Sequence, residues 1–334
     1  MNIGAYALAQ LFPNNYFNNM AKTYYLEYAI QPQSFGCYPL AWEELFQRAA
    51  PLAVEVGFGN GEYLVNWARQ RPDWNFTGIE LSMESMERLQ KRIHKHSLAN
   101  ICPILEDARF ALREFFPDNS VHHVIMNFPD PWPKERHQNR RLLDAQFIET
   151  LAAVLREDHY YELVSDQQWY AEDAHQLFDE SPYFVVEKIE QNPPRELATK
   201  YEKKWQQIGR DSFRVLARKT KSIQVNRILK DSTMPHAIIE KEIPEAAIKS
   251  LTGFQHREDD RIFVIKNVFN HLDKEQYLLQ VVAKDKTYKQ SIHILVYRHG
   301  KNRWLVKLDS TVQPYRTPAV KMAVWKIGEI LNQN

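Results

Sequence analysis

Residues 52–61 read LAVEVGFGNG, five residues of a strand followed by glycines at 57, 59 and 61. Gly57, Gly59 and Gly61 can adopt positive φ and let a ligand approach the backbone with no Cβ in the way. A helical pattern opens near Asn60, so the segment reads strand, tight turn, helix. Alone, such a turn is a weak sign of a nucleotide site. Its GxGxG spacing also lacks the third-glycine offset of the dinucleotide fingerprint GxGxxG.

Outward from this turn the pattern repeats. Short apolar runs at 52–56, 75–79, 101–105 and 121–126 alternate with helical periodicity. Strands alternating with helices of about 10–15 residues imply right-handed crossovers and a parallel sheet covered on both faces, a doubly wound α/β domain. The later runs at 160–164, 184–189 and 213–218 break this rhythm. Two of them are joined by a long polar connection without helical period, as in an antiparallel hairpin.

The chain has 334 residues, a length that fits two domains of ordinary size. An α/β domain is placed at 51–220, a linker at 221–245 and a smaller α+β domain at 246–334; residues 1–50, rich in Asn, Tyr and Phe, form an unassigned extension. In the last domain, runs at 261–268, 277–283, 292–297 and 303–308 read as strands, with His299-Gly300-Lys301-Asn302 as a hairpin turn. A closing helix has Thr317 as N-cap, Pro318 at its first position, and the stripe Val320, Val324, Ile327 and Leu331 on one face.

Cys37 and Cys102 form no CxxC pair and are too few for a disulfide framework or a thiolate metal site, so no metal is expected. No apolar stretch reaches the roughly 18 residues of a membrane span, and the amino terminus carries no export signal. The expectation is a cytoplasmic protein without a membrane partner, either monomer or homodimer. With 43 Lys and Arg against 42 Asp and Glu, net charge is +1 and announces no nucleic-acid partner; local clusters must carry that argument.

Three acids sharpen the reading of the glycine turn. Glu80, in TGIELS after the second strand, is placed to accept from both hydroxyls of a ribose, although a solvated strand-end glutamate would look the same. Glu55 lies within the strand before the turn, where it would repel a pyrophosphate but suit a ligand carrying ammonium and sulfonium groups. Asp107, in LEDARF, fits an adenine amino group or the N-cap of the helix beginning at Ala108, and the two roles are compatible.

After the fourth strand comes NFPDPWPKERHQNRRL, residues 127–142. Pro129, Pro131 and Pro133 fix φ and remove donors, so the loop is stiff and holds Asp130 at the carboxyl end of a sheet strand. Lys134 to Arg141 then holds four Lys or Arg residues and His137 against Glu135 alone. A charge run is usually a solvated face; beside a donor site and the planar Trp132 it reads as a phosphate-contacting cluster.

Together NFPDPWPKxRHxxRR, TGIE, VEVGFGNG, SDxxxYAE at 165–172 and TKYE at 199–202 resemble the bacterial tRNA (guanine-N7)-methyltransferase (TrmB) family over about 52–219. The resemblance implies a Rossmann-like seven-stranded S-adenosylmethionine-dependent methyltransferase fold. It also implies methylation of guanine N7 at position 46 in the variable loop of tRNA. By that resemblance Glu55, Glu80, Asp107 and Asp130 bind the donor and Asp130 is also catalytic. Lys134, Asp166, Thr199, Lys200, Tyr201 and Glu202 bind tRNA, and Arg136, His137, Arg140 and Arg141 contact RNA. Ser165 stands where the family usually has threonine, and the domain from Ser222 onward resembles the family's extended form.

Alternative roles stay open at this stage. Asp166 fits either selection of guanine through its N1–H and amino group or the cap of a helix starting near Gln167. Methylation of an exocyclic amino group, a non-catalytic tRNA-binding protein on the same fold, and a dehydrogenase are the rival functions. In the last domain, 284–307 holds seven Lys or Arg residues against Asp285, on strands exposing Tyr288 and Tyr297, which reads as an RNA-gripping face.

Overall fold

The computed structural model describes residues 28–133, 136, 141–195, 197, 209–230, 233–311 and 313–333. Two compact units divide the chain, Met1–Pro32 with Pro39–Asn226 and Gln33–Tyr38 with Arg227–Asn334. Among the described residues no helix is long and apolar enough to cross a membrane.

In the first unit, β1 (Leu52–Val56), β2 (Asn75–Glu80), β3 (Ile104–Leu105), β4 (Val121–Asn127) and β5 (Leu155–Ser165) are parallel. β6 (Phe184–Val186), β7 (Glu190–Gln191) and β8 (Phe213–Lys219) follow, and the sheet runs β3-β2-β1-β4-β5-β8-β6 with β7 also on β8. β8 is antiparallel to its neighbours. β6 and β7 are two halves of one hairpin arm, interrupted at 187–189 where only the Glu187 N–H still reaches the Leu216 carbonyl. Counted as one arm, they restore the seven strands expected; of the expected run 184–189, Phe184–Val186 is strand and 187–189 is the break.

The parallel strands read as continuous apolar runs because both faces are covered; every residue of β1 is buried, Glu55 included. Helix α1 (Trp42–Phe46) lies upstream of β1, and α2 (Glu62–Gln70) and α3 (Met83–His96) follow β1 and β2. α4 (Ala108–Phe115), α5 (Ala145–Val154) and α6 (Gln168–Asp179) complete the crossovers. α3 starts on Ser82, which accepts from the Ser85 N–H, and α5 on Asp144, which accepts from the Phe147 N–H. Residues read as an unassigned extension contribute to this core: Trp42 stacks on Phe116 and donates to the Phe115 carbonyl, and Ile30 bridges to Ile104.

The second unit is a six-stranded antiparallel sheet, β10-β11-β12-β13-β14-β9. Its strands are β9 (His236–Ile239), β10 (Gln255–Glu258), β11 (Arg261–Asn270), β12 (Gln276–Asp285), β13 (Tyr288–Arg298) and β14 (Trp304–Leu308). Two helices belong to it, α7 (Glu245–Lys249) and α8 (Pro318–Gln333). Val320, Val324, Ile327 and Leu331 of α8 are fully buried against the sheet, and burial on that scale contributes about 1.5–3 kcal/mol for each side chain.

Two expectations are corrected here. The stretch 221–245 is not all linker, because β9 lies in it and pairs with β14; β10 was also missed. Both are four-residue edge strands, HAII and QHRE, too short or too polar to show alternation. At the α8 terminus Thr317 holds the expected N-cap position, its carbonyl accepting from the Lys321 N–H, but the side-chain bond to the helix end comes from elsewhere. Its first orphan donor, the Ala319 N–H, bonds Asp285 Oδ1 on β12 at 2.8 Å, while the Thr317 hydroxyl accepts from Gln290. The cap therefore comes from a strand remote in sequence.

Candidate active site

In the order β3-β2-β1-β4-β5 the chain reverses direction of winding between β1 and β4, and at their carboxyl ends an open α/β sheet binds its ligands. The glycine turn leaves β1 on one side of this point and the proline loop leaves β4 on the other. Gly57, Gly59 and Gly61 have φ of 70°, 53° and 70°. A Cβ on Gly57 or Gly59 would meet nothing within 4 Å, so these two line open space. Gly61 is different: a Cβ there would stand 2.6 Å from Leu89 Cδ1, so it lets α2 and α3 pack closely. Phe58, only 4% exposed, turns inward and anchors the turn.

Glu80 fastens this turn to β2. Its carboxylate accepts from the Gly59 N–H at 3.0 Å, from Leu81 at 2.8 Å and from Ser82 at 3.1 Å. Asp107 caps α4, its Oδ1 accepting from the Arg109 and Phe110 N–H groups. Both acids thus have structural bonds at the strand ends where ligand-binding roles were expected.

Glu55 is the most unusual group. It is 2% exposed, its Oε1 accepts from Asn127 Nδ2 at 3.1 Å, the Leu64 backbone N–H also faces the carboxyl, and Oε2 meets no hydrogen-bond geometry with any of the described residues. Burial pushes its carboxyl up to about 8, against the Asn127 bond and the Arg195 charge, which pull it down. An unpartnered buried carboxylate oxygen beside open glycine backbone fits a ligand bearing an ammonium group.

Behind Glu55 lies a network the sequence reading missed. Arg195 donates to Asn127 Oδ1 at 2.8 Å, lies 3.7 Å from Glu162 Oε1 and stacks over Tyr63 at 5.1 Å. Burial alone would raise the Glu162 carboxyl, but His123 at 3.3 Å, Arg195 and Arg214 together hold it below its ordinary range. Asn127 could have been noticed as the first residue of NFPDPW. Arg195, in QNPPRE, carried no signal.

The proline loop is held by backbone and by one arginine. Phe128 and Trp132 take positive φ, 49° and 44°, and the Phe128 N–H reaches the Val164 carbonyl of β5 at 2.7 Å. Asp130 stands exposed between them. Arg141 donates to the Trp132 carbonyl through Nε and Nη2, pairs with Asp173 at 3.1 Å and stacks on Trp169 at 4.9 Å. Arg141, with a guanidinium only 15% exposed and bonded on three sides, braces the loop.

Asp166 does not cap α6, whose N-cap Gln167 makes no side-chain capping bond; Asp166 instead accepts from Gln167 Nε2 and lies 3.7 Å from Arg210. Arg136 is exposed. Lys134, His137, Arg140, Thr199, Lys200, Tyr201 and Glu202 lie outside the described residues.

Comparison with known proteins adds the chemistry. A family model described as "Putative methyltransferase" matches residues 49–215. A protein of Thermotoga maritima named tRNA (guanine-N(7)-)-methyltransferase is 41% identical over 91% of this chain and 97% of its own length. Proteins of the same name from Coprothermobacter proteolyticus and Thermus thermophilus are 31% and 30% identical, over 91% and 88% of this chain and 94% and 93% of theirs. Among solved structures, the 16S rRNA methyltransferase KamB aligns with a TM-score of 0.43 at 14% identity, over 54% of this chain and 92% of that one, a likeness too slight to carry weight.

Proposed function

The chain belongs to the tRNA (guanine-N7)-methyltransferase family, and from that membership we propose that it methylates N7 of the variable-loop guanine at position 46 of tRNA, with S-adenosylmethionine as donor. The observation that carries the donor assignment is the unpartnered Oε2 of buried Glu55 beside Gly57 and Gly59. S-adenosylmethionine supplies an electrophilic methyl group and departs as the neutral thioether.

On this reading Glu55 takes the donor's ammonium group, Glu80 and Asp107 its adenosine, and the backbone of Gly57 and Gly59 lets it approach. Glu80 keeps its turn bonds while accepting from ribose, since a carboxylate has about four lone-pair sites. Guanine N7 has a free lone pair and no proton, so no base is needed to make the nucleophile. What remains is alignment, worth up to roughly 7–11 kcal/mol. The purine turns cationic as the bond forms, and Asp130, fixed by the prolines and by Arg141, favours that charge. Asp166, not engaged as a cap, accepts from the guanine N1–H or amino group. Lys134, Arg136, His137, Arg140 and the segment 199–202 meet the RNA.

The test is direct. Purified protein is incubated with labelled donor and unmodified tRNA, and the product is reduced with borohydride and treated with aniline. Cleavage at position 46 is expected, and a labelled product resistant to that treatment rejects the N7 assignment. Asp130→Asn should lower kcat by about 100- to 1000-fold, the scale of a lost transition-state charge interaction. Unchanged single-turnover transfer would remove Asp130 from catalysis.

A further inference from the structure

In the second unit, α8 covers one face of the six-stranded sheet, and the burial alternation of β11 to β14 shows which residues face away from it. Register then places Arg257, Ile262, Lys284 and Lys289 in one row across four strands of this open face. A second row carries Phe269, Leu278, Leu295 and Lys307. Tyr297 stands beside it, with the Lys307 ammonium 5.5 Å from its ring. No strand residue on this face is Asp or Glu.

Nothing within the fold neutralises these charges. Lys284 and Lys289 stand directly opposite each other, and like charges in a cross-strand pair destabilise a sheet. Among the described residues none of Arg257, Lys284, Lys289 and Lys307 has a carboxylate partner, whereas Arg298, on the helix-covered side, is held between Glu242 and Glu275. Phe269 is 52% exposed and Tyr297 half-buried, so aromatic faces lie among the free cations. Cations that meet phosphates, interleaved with rings on which unpaired bases stack, are how proteins hold single-stranded RNA segments.

We infer that this open sheet face is a second tRNA-binding surface, gripping phosphates through Arg257, Lys284, Lys289 and Lys307 and stacking unpaired nucleotides on Phe269 and Tyr297. The inference rests on tRNA being the substrate. It also refines the basic stretch 284–307: only Lys284, Lys289 and Lys307 of its seven cations stand on this face, joined by Arg257 from the strand the sequence hid.

The test uses the full chain with Lys284→Ala, Lys289→Ala and Lys307→Ala combined. Affinity for unmodified tRNA should fall roughly 10- to 100-fold near 0.15 M salt, and the log–log salt slope should shrink by about two to three. Kd for S-adenosylhomocysteine and kcat at saturating tRNA should stay as in the parent, and the melting temperature should not fall. A control with Lys321→Ala and Lys326→Ala, on α8, should leave tRNA affinity unchanged. If the triple variant binds tRNA with parental affinity and slope while the parent methylates tRNA, the surface assignment falls alone. If the parent neither binds nor methylates tRNA, both readings fall. Sedimentation showing a dimer that the triple variant alters would mean that a second copy covers this face, and would overturn the proposal.

Discussion

Glu55 links the protein's stability to its ligand through one proton. Its carboxyl, near 4.5 when unfolded and about 8 in the fold, is held protonated by burial at neutral pH. Because the native state keeps a proton that the unfolded chain releases between those values, Glu55's own contribution to stability is fully present below about 4.5 and is lost as pH rises toward 8. A cationic donor prefers the ionised form, so S-adenosylhomocysteine affinity should rise with pH through that upper value, as calorimetry from pH 6 to 9 would show. Glu55→Gln should bind it roughly 10- to 100-fold more weakly, flatten the pH dependence and be more stable than the parent at pH 8. A pH-dependent affinity surviving in the variant would assign the titration elsewhere. The sequence shows the oddity, an acid inside a strand of apolar residues, but not its neighbours. Asn127 and Arg195 lie 72 and 140 positions away from it, and only packing brings them together.

At the scale of elements, the parallel strands and the glycine turn were legible because burial on both faces leaves unbroken apolar runs, while β7, β9 and β10 were not. Edge strands satisfy hydrogen bonds without burying a face, so their composition is free to look like loop. The proline loop was legible in its stiffness but not in its brace. Arg141→Ala should free the Trp132 carbonyl and let Asp130 wander, lowering kcat roughly 10- to 100-fold while leaving the salt slope of tRNA binding intact. A reduced slope with unchanged kcat would return Arg141 to the RNA interface. Gly61→Ala tests the turn from the other side. Its Cβ would stand 2.6 Å from Leu89 at a φ of +70°, so thermal melting should show a loss of about 2–4 kcal/mol. A melting temperature equal to the parent's would mean that α2 and α3 can separate without penalty.

For the whole molecule, a net charge of +1 conceals an arrangement that the linear tally cannot show. Cations counted together along 284–307 divide in space: Arg298 is neutralised by two glutamates, Lys286 lies 4.0 Å from Asp260, Lys301 and Arg303 fall between β13 and β14, and three stand on the open sheet face. Each unit buries its own core, the residues proposed for the donor site all precede Asn226, and those of the basic face all follow it. Donor binding and the added tRNA grip should therefore separate. A chain ending at Asn226 should bind S-adenosylhomocysteine much as the parent does, yet bind tRNA more weakly, with a salt slope smaller by about three, the share of the missing lysines and arginine. Filter binding across a salt series, alongside calorimetry for the small ligand, measures both. Equal loss of the two affinities, accompanied by a lower melting temperature, would mean that the second unit braces the first instead of holding RNA.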